Sequence, residues 1–542
     1  MLGFFNIKTN TLGKTAFILA FFTLGSQVLA IIRDKIFAIK FGASIELDIY
    51  YAAFKIPHVI FLLTGTLISS FILMSFFERK KKEGGDSLQN FIDKVFFTFM
   101  VFMVIVSILC FVLLPQISSL FFPGFEGENA DSFIMMSRML LISPIFLGIS
   151  SLFTGLNQMN GYFISTASTG VFYNFFIIFG IIVLYPFFGF NGIILGVLLG
   201  SLFYLLIQLP SIFKEKIFPK KIQFFSFKES LEILKVSIPR SFSLVLSELL
   251  LVLLMSKAST LPEGSIVILV FVLNISMVPI RLITTSYSIA SFPKMAKYFV
   301  NNEIEELKSL IRNIISKVFF FGFPAAFFFL FFSDIIVGFL LGSQKFGWSE
   351  IYTTALLISL VSFVVVIQSM SIIIMRVFYA IEKTKIVFMI NLITLFSFFL
   401  IHYALSKEYV YNILNYFIVE KYFTSGVLGL LILILSYLIT FSLSSFLTIV
   451  LFKKYFVKFR LLKNTNWVFK MLISFSAVFF ARFLYQIFIY PVNNSFFEFT
   501  YSLIFAVLLS IIFFIIFSEL FKFEEYAYFK RKIINKFLKF NK

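Results

Sequence analysis

The sequence holds a single cysteine, Cys110, and two histidines in 542 residues. That scarcity excludes a disulfide framework, a cysteine-based metal site and a zinc hydrolase of the HExxH type. Charge is also sparse: Asp, Glu, Lys and Arg make up 13% of the chain, against roughly 25% in soluble domains. No polar stretch is long enough to fold as a separate soluble domain. Gly13-Lys14-Thr15 has the ending of a phosphate loop, but Lys8 stands where its first glycine belongs and no nucleotide domain follows. The opening residues lack a small-residue cleavage site behind a short apolar core, so the first span is expected to stay in the membrane. Nothing here proposes catalysis or a cofactor.

What is present is apolar sequence: 60% hydrophobic residues and a mean hydropathy of +0.99. An all-α integral membrane protein follows, and at roughly 20 apolar residues per crossing the length accommodates about fourteen transmembrane helices. Apolar spans fall at about 14–41 (interrupted by charges), 46–77, 92–115, 133–157, 162–187, 190–213, 231–257, 264–292, 313–342, 352–379, 385–406, 424–452, 466–490 and 496–521. The net charge of +19 comes from Lys and Arg in alternate loops, at 78–86, 214–228, 294–317, 376–385, 453–463 and from 522 onward. That is the positive-inside pattern and not a nucleic-acid face, and it puts both termini in the cytoplasm. The 84 phenylalanines are read as lipid-facing filler.

Gly42 and Pro57 recur as Gly264 and Pro279, 222 residues later. An interval of about six helices keeps the same direction across the bilayer, so the repeats would be parallel. The expected organisation is a six-helix lobe at 1–228, a pseudo-symmetric second lobe at 229–463, an additional C-terminal helix pair at 464–521 and a basic cytoplasmic tail at 522–542. Gly192, Gly196 and Gly200 form a small-residue ridge suited to close helix packing. The segment Lys294–Arg312 mixes apolar and charged residues and is expected to lie as a helix on the cytoplasmic face. The tail Tyr526–Lys542 either binds anionic lipid or is a solubilised end.

Ionisable residues concentrate between Ser26 and Pro57: Arg33, Asp34, Lys35, Lys40, Asp48 and Lys55. Each costs roughly 2.5–3.5 kcal/mol at mid-membrane, so such residues as a rule face a cavity or a partner. Residues seven apart share a helical face, which pairs Arg33 with Lys40 and Asp48 with Lys55. Pro57 deprives Ala53 of its backbone partner, so a kink is expected beside Lys55. Facing cations would make an anion-binding chamber, with Arg33 a fork for phosphate oxygens and Lys55 a point charge. The alternative is that Arg33, Asp34 and Lys35 neutralise one another at a helix end while Lys40 and Lys55 reach to the interface. Glu248, two turns from Arg240, is either a proton or sodium site or a bond to a neighbouring helix. Arg138 and Arg281 read as structural anchors, and His58 as a satisfied polar residue near the kink.

The run Arg33-Asp34-Lys35-Ile36-Phe37, then Phe41-Gly42-Ala43-Ser44, Asp48 and Ala53-Phe54-Lys55-Ile56-Pro57, resembles the first two helices of the MurJ family of lipid II flippases. That family belongs to the multidrug, oligosaccharidyl-lipid and polysaccharide exporter superfamily. Gly155-Leu156-Asn157-Gln158 leading to Asn174, Gly196-Val197-Leu198-Leu199-Gly200 leading to Gln208-Leu209-Pro210, and Arg376-Val377-Phe378-Tyr379-Ala380 with Thr384 are similar to the same family. The resemblance implies a flippase, not an enzyme, that carries a lipid-linked anionic glycan precursor across a bacterial inner membrane beside the cell-wall synthesis machinery. It places Arg33 and Asp34 in the chamber, makes Asp48 the brace of the helix pair, and puts Lys55 where the family usually has Arg. Asn274 stands where the family pattern has an Arg, and Asn391 has no carboxylate nearby to act as a sodium ligand. The candidate substrate residues are therefore Arg33, Lys55, Lys40, Asp34 and Asp48, with Glu248 as a candidate ion-coupling group. Flipping another lipid-linked oligosaccharide is the neighbouring reading. A cationic-drug exporter would call for an acidic cavity, and a non-transporting scaffold would tolerate loss of Arg33 and Lys55.

Overall fold

In lipid every backbone N–H and C=O has to be satisfied within its own segment, so apolar runs of this length become helices. The computed structural model describes residues 7–8, 12–67, 80, 86–408, 425–456, 466–488, 496–527 and 530–531. Its long helices are α1 (Leu12–Phe41), α2 (Ile45–Leu67), α3 (Ser87–Phe121), α4 (Glu128–Met159), α5 (Phe163–Phe188), α6 (Phe190–Lys214) and α7 (Phe227–Ala258). They continue as α8 (Ser265–Ser276 with Ile280–Val300), α9 (Ile304–Leu341), α10 (Trp348–Ala380), α11 (Thr384–Leu405), α12 (Ser425–Tyr455), α13 (Trp467–Phe488) and α14 (Phe496–Leu520). No strand occurs among the described residues. Among them twelve helices are long and apolar enough to cross a membrane, or thirteen when the bent pair in α8 counts as one span. The all-α membrane fold is thus the one expected, and each apolar span falls on a helix. The basic residues Arg79, Lys81, Lys82 and Lys421, the loop 457–463, the side chain of Arg240 and the tail beyond Arg531 lie outside the described residues.

Two compact units divide the chain, Met1–Val267 and Ile268–Lys542. In the first, α1 packs along α5, α5 on α6, and α2 on α7 and α4. In the second, α9 packs on α10, α13 and α14, while α12 packs on α10 and α11.

The glycine ridge packs as expected. A Cβ on Gly196 would lie 2.7 Å from the Gly180 Cα, and one on Gly192 would lie 2.5 Å from the Leu184 backbone. Only glycine lets α5 and α6 approach that closely. Proline's missing N–H is met by a distant cation: Pro115 leaves the Phe111 carbonyl of α3 without its helical donor, and Arg138 Nε donates to it at 3.3 Å with its guanidinium 4.6 Å from the Phe111 ring centre. Arg138 is a structural anchor for that reason.

The charges that interrupt the first apolar span leave its helix intact: α1 runs unbroken through Arg33, Asp34 and Lys35, with Arg33 and Asp34 paired along it. Two expectations need correction. The segment Lys294–Arg312 is not a separate surface helix. It is split by the turn at Asn301–Glu303, where Asn302 takes a positive φ and Glu303 N–H donates to the Tyr298 carbonyl, and Met295, Leu307 and Ile311 are buried in the core of the second unit. Nor is phenylalanine only lipid-facing filler, since Phe37, Phe133, Phe153, Phe271, Phe346 and Phe378 are fully buried. A large flat ring fills helix-helix gaps as readily as it faces lipid.

Candidate ion-paired site in the first unit

Gly42 (φ +66) and Gly264 (φ +81) are both left-handed residues just before a helix. At Gly264 the backbone comes so near Ala43 that a Cβ would lie 2.4 Å from the Ala43 carbonyl oxygen. This close approach sets Asp48, in the first turn of α2, against the start of α8. Its Oδ2 accepts from Gly264 N–H at 2.7 Å and its Oδ1 from Val267 N–H at 2.7 Å. Asp48 is 3% exposed. A carboxylate at a helix N-terminus satisfies orphan donors and meets the positive end of the dipole, so Asp48 caps α8.

Two turns of α2 beyond that cap, Lys55 Nζ lies 2.6 Å from Glu248 Oε1 on α7. His58 Nε2, one turn further along α2, lies 3.8 Å from the same oxygen. The side chains of Lys55 and Glu248 are 20% and 12% exposed, so the pair is largely withdrawn from solvent. The His58 ring sits between Phe54 and Phe61, each about 6.4 Å away between ring centres. Helix α2 continues on both sides of Pro57.

On α1, Arg33 donates from Nε and Nη2 to Asp34 Oδ1 at 3.0 and 2.8 Å, and from Nη1 to Asn174 Oδ1 on α5 at 3.1 Å. Asn174 in turn donates to Ser26 Oγ and the Gly170 carbonyl, which fixes the amide so that its oxygen faces the guanidinium. Arg33 therefore points into α1 and α5, held by one acid and one amide.

Lys40 has a different place. In the π-helical turn Gly180–Leu184, the donor due to the Ile181 carbonyl belongs to Pro186, which has none. Lys40 Nζ donates to that carbonyl at 2.6 Å and lies 4.2 Å from the Tyr185 ring centre. Of the sequence candidates, the structure joins Lys55 with Glu248 and Arg33 with Asp34. It sets Lys40 and Asp48 to bracing α5 and α8.

Sequence reasoning placed Lys55 and Glu248 in separate roles, and it missed Asn174 as a partner of Arg33. An amide within an apolar span was the available signal for Asn174. The family-like residues Asn157 and Gln208 also turn out to brace: Asn157 bonds the Gln208 carbonyl and Ser211 Oγ, and Gln208 bonds Thr154 and Ser150, a buried knot between α4 and α6.

Outside the membrane-spanning segments, Glu215 accepts from Lys8 at 2.8 Å and from the Tyr162 hydroxyl at 2.6 Å. The Lys8 hydrogen bond, then that of Tyr162, holds the Glu215 carboxyl below its usual range. Ser226 and Glu229 form a capping box at the start of α7. The hydrogen bond from Lys94, followed by that from the Ser226 backbone, holds Glu229 down to about 2.

The second unit holds an apolar cavity of about 470 Å³ between α9, α10, α12 and α13, lined by Phe319, Phe323, Ala326, Phe363, Met370, Phe446 and Met471 among others. Its polar contributions are Ser362, Ser442 and Trp467. Beside it, Lys470 of α13 bonds Glu525 at 2.7 Å and Ser316 of α9 at 2.6 Å. Arg482 of α13 makes a two-pronged contact to Asp334 of α9 at 2.9 and 3.3 Å.

Residues 37–419 match the family model described as "Lipid II flippase MurJ". The chain is 26% identical over 336 residues to a probable lipid II flippase MurJ of Borreliella burgdorferi, covering 61% of this chain and 66% of that protein. It is 28% identical over 392 residues to a probable lipid II flippase MurJ of Buchnera aphidicola, covering 69% and 74%. Matches to these curated relatives thus span about two thirds to three quarters of their length. Among solved structures, a lipid II flippase MurJ in an inward closed conformation superposes with a TM-score of 0.72 at 21% identity, over 93% of this chain and 99% of the other. An inward-facing multidrug resistance transporter of the MATE family superposes at 0.63 and 18% identity, over 79% and 94%. At such identity these two establish the shared fold.

Proposed function

The chain belongs to the lipid II flippase MurJ family, a family of transporters, and from that premise we propose that it carries lipid II from the cytoplasmic to the outer leaflet of a bacterial inner membrane by alternating access. The observation that supports this reading most directly is the pair of cations on α1 and α2, Arg33 and Lys55, each engaged with an acid within an otherwise apolar helix. Intramembrane charge is costly and marks a pathway when it is retained. A diphosphate presents oxygens that a guanidinium fork and an ammonium both accept. In this mechanism the diphosphate takes Lys55 from Glu248 and shares Arg33 with Asp34, while Asn174 keeps the guanidinium aimed.

The apolar cavity of the second unit suits a polyprenyl chain: its lining is mostly Phe, Met, Ile and other apolar side chains, and each buried methylene contributes about 0.8 kcal/mol. Parallel halves of the bundle, of about six helices each with an additional C-terminal pair, would expose the headgroup site to one side at a time. Both termini would lie in the cytoplasm, next to the enzymes that make the precursor.

Purified protein in liposomes, assayed for lipid II binding and leaflet exchange, tests the reading. The native protein is expected to translocate lipid II, and Arg33→Ala and Lys55→Ala are expected to lose translocation while remaining folded. A native protein that ignores lipid II but moves another polyprenyl-linked glycan would overturn the substrate and leave the transport mode. Full transport by both variants would overturn the site.

A further inference from the structure

Within the site proposed above, and resting on that reading, one group is left without a role: His58. Its Nε2 lies 3.8 Å from the Glu248 oxygen that Lys55 already holds at 2.6 Å. The ammonium and the imidazole thus compete for one acceptor, and Lys55 holds it. Remove Lys55 from that oxygen and the balance reverses. Among the described residues Glu248, 12% exposed, is then left with His58 alone as a possible counter-charge, and an uncompensated carboxylate withdrawn from water is among the most costly groups a membrane helix can carry.

We infer that Glu248 is an internal occupant of the anion site, and that a diphosphate binding to Lys55 hands it over to His58, which takes up one proton from solution.

The geometry is suited to the exchange. Lys55 and His58 sit three residues apart on α2, one turn, and both reach the same atom of α7. A shift of about 1 Å in the carboxylate brings the His58 distance into hydrogen-bonding range. The neighbours leave Glu248 and Lys55 as the groups that set the proton's place. Among the described residues the charged groups acting on His58 are those two, and no charged group of α3 or α4, the other helices packed on α2, acts on it. Phe54 and Phe61 flank its ring and supply no competing acceptor. The step balances simply: the Lys55–Glu248 bond breaks, a Lys55–diphosphate bond forms, and a proton from water becomes the Nε2–H that faces Glu248. An imidazole is the side chain whose ordinary range lets this occur near neutral pH.

Two consequences are measurable. Binding takes up protons, so by linkage the affinity rises as the pH falls, approaching about tenfold per pH unit where uptake is complete. Binding is also opposed by Glu248, so a variant lacking that charge binds more tightly.

The experiment is calorimetric titration of the full-length protein in detergent with farnesyl diphosphate, near neutral pH, in buffers of different ionisation enthalpy. The native protein is expected to take up close to one proton more per ligand than His58→Gln, a difference that subtracts protons carried by the ligand itself. His58→Gln is expected to bind with a flatter pH dependence, and Glu248→Gln to bind several-fold more tightly with no extra uptake. Equal uptake in native protein and His58→Gln overturns the proposal. Uptake that survives His58→Gln and vanishes in Glu248→Gln also overturns it, because the proton then sits on the carboxylate. Absence of diphosphate binding to the native protein overturns the site itself, and is thereby distinct from binding without uptake.

Discussion

Besides the ion pairs at its helix ends, the first unit carries two in mid-helix. Arg33 with Asp34 on α1, and Lys55 with Glu248 between α2 and α7, are spaced along segments that are otherwise apolar. The second unit leaves an apolar cavity between its helices and uses its ion pairs, Lys470 with Glu525 and Arg482 with Asp334, to tie α13 to its surroundings. The two kinds of pair look alike on a distance scale, yet their settings differ. A pair bordered by an apolar cavity fixes the walls of that cavity. One set within an otherwise apolar stretch of helix can exchange its partner for another anion. Charge in a membrane protein is thus read from what its partner could be replaced by, not from the bond length.

The largest expected effect separates these two uses directly. Lys55→Ala deprives Glu248 of its nearest cation, leaving only the more distant His58, and should cost up to about 3 kcal/mol of stability together with transport. The double variant Lys55→Ala/Glu248→Ala should regain most of the stability and none of the transport. Thermal unfolding in detergent and lipid exchange in liposomes read the two quantities, and recovery of transport in the double variant would reduce Lys55 to a brace.

Asp48→Ala comes next. It strips two buried N–H groups of their acceptor and should cost about 2.5 kcal/mol, seen as a lower unfolding temperature. In the second unit Lys470→Ala should cost about 2 kcal/mol by stranding Glu525, while farnesyl diphosphate binds as before. Weakened binding there would erase the contrast between the units.

Ala326→Phe fills part of the cavity. It should weaken binding of a polyprenyl alcohol to the second unit by about tenfold, since the added ring takes the space in which the chain buries its methylenes. The smallest effect belongs to Glu229. Its folded carboxyl is depressed to about 2, so its contribution is present above the unfolded value of about 4.3 and is lost as the pH falls toward 2. With the side chain 43% exposed, Glu229→Gln should cost less than about 0.5 kcal/mol at neutral pH and flatten the acid limb of an unfolding titration.

Much of the fold was legible because lipid leaves the backbone little choice. Spans of about 20 apolar residues had to be helices, and the ridge at Gly192, Gly196 and Gly200 had to pack. Expectation failed where partners distant in sequence intervene. Lys40 was counted with the site because it shares a face with Arg33, but the carbonyl it serves is set free by Pro186 in another helix. The charges at Arg33–Lys35 interrupt the apolar run, and the pairing that accompanies the helix through them is invisible in hydropathy. The 294–312 segment has amphipathic composition, yet its apolar residues found a core and not a lipid surface.

The amino-acid order by itself determined that this is an all-helical membrane protein, where its charges lie along the helices, and that Gly42 and Gly264 open matching helix starts. Those properties depend on local chemistry: hydropathy per residue, the missing Cβ of glycine, the missing N–H of proline. Only the tertiary structure decided which acid meets which base. Glu248 is 193 residues from Lys55, and nothing along the chain distinguishes it from a lone carboxylate. The packing of α7 on α2 brings the two to 2.6 Å, because a charge withdrawn from water has to find its opposite wherever the folded helices place it.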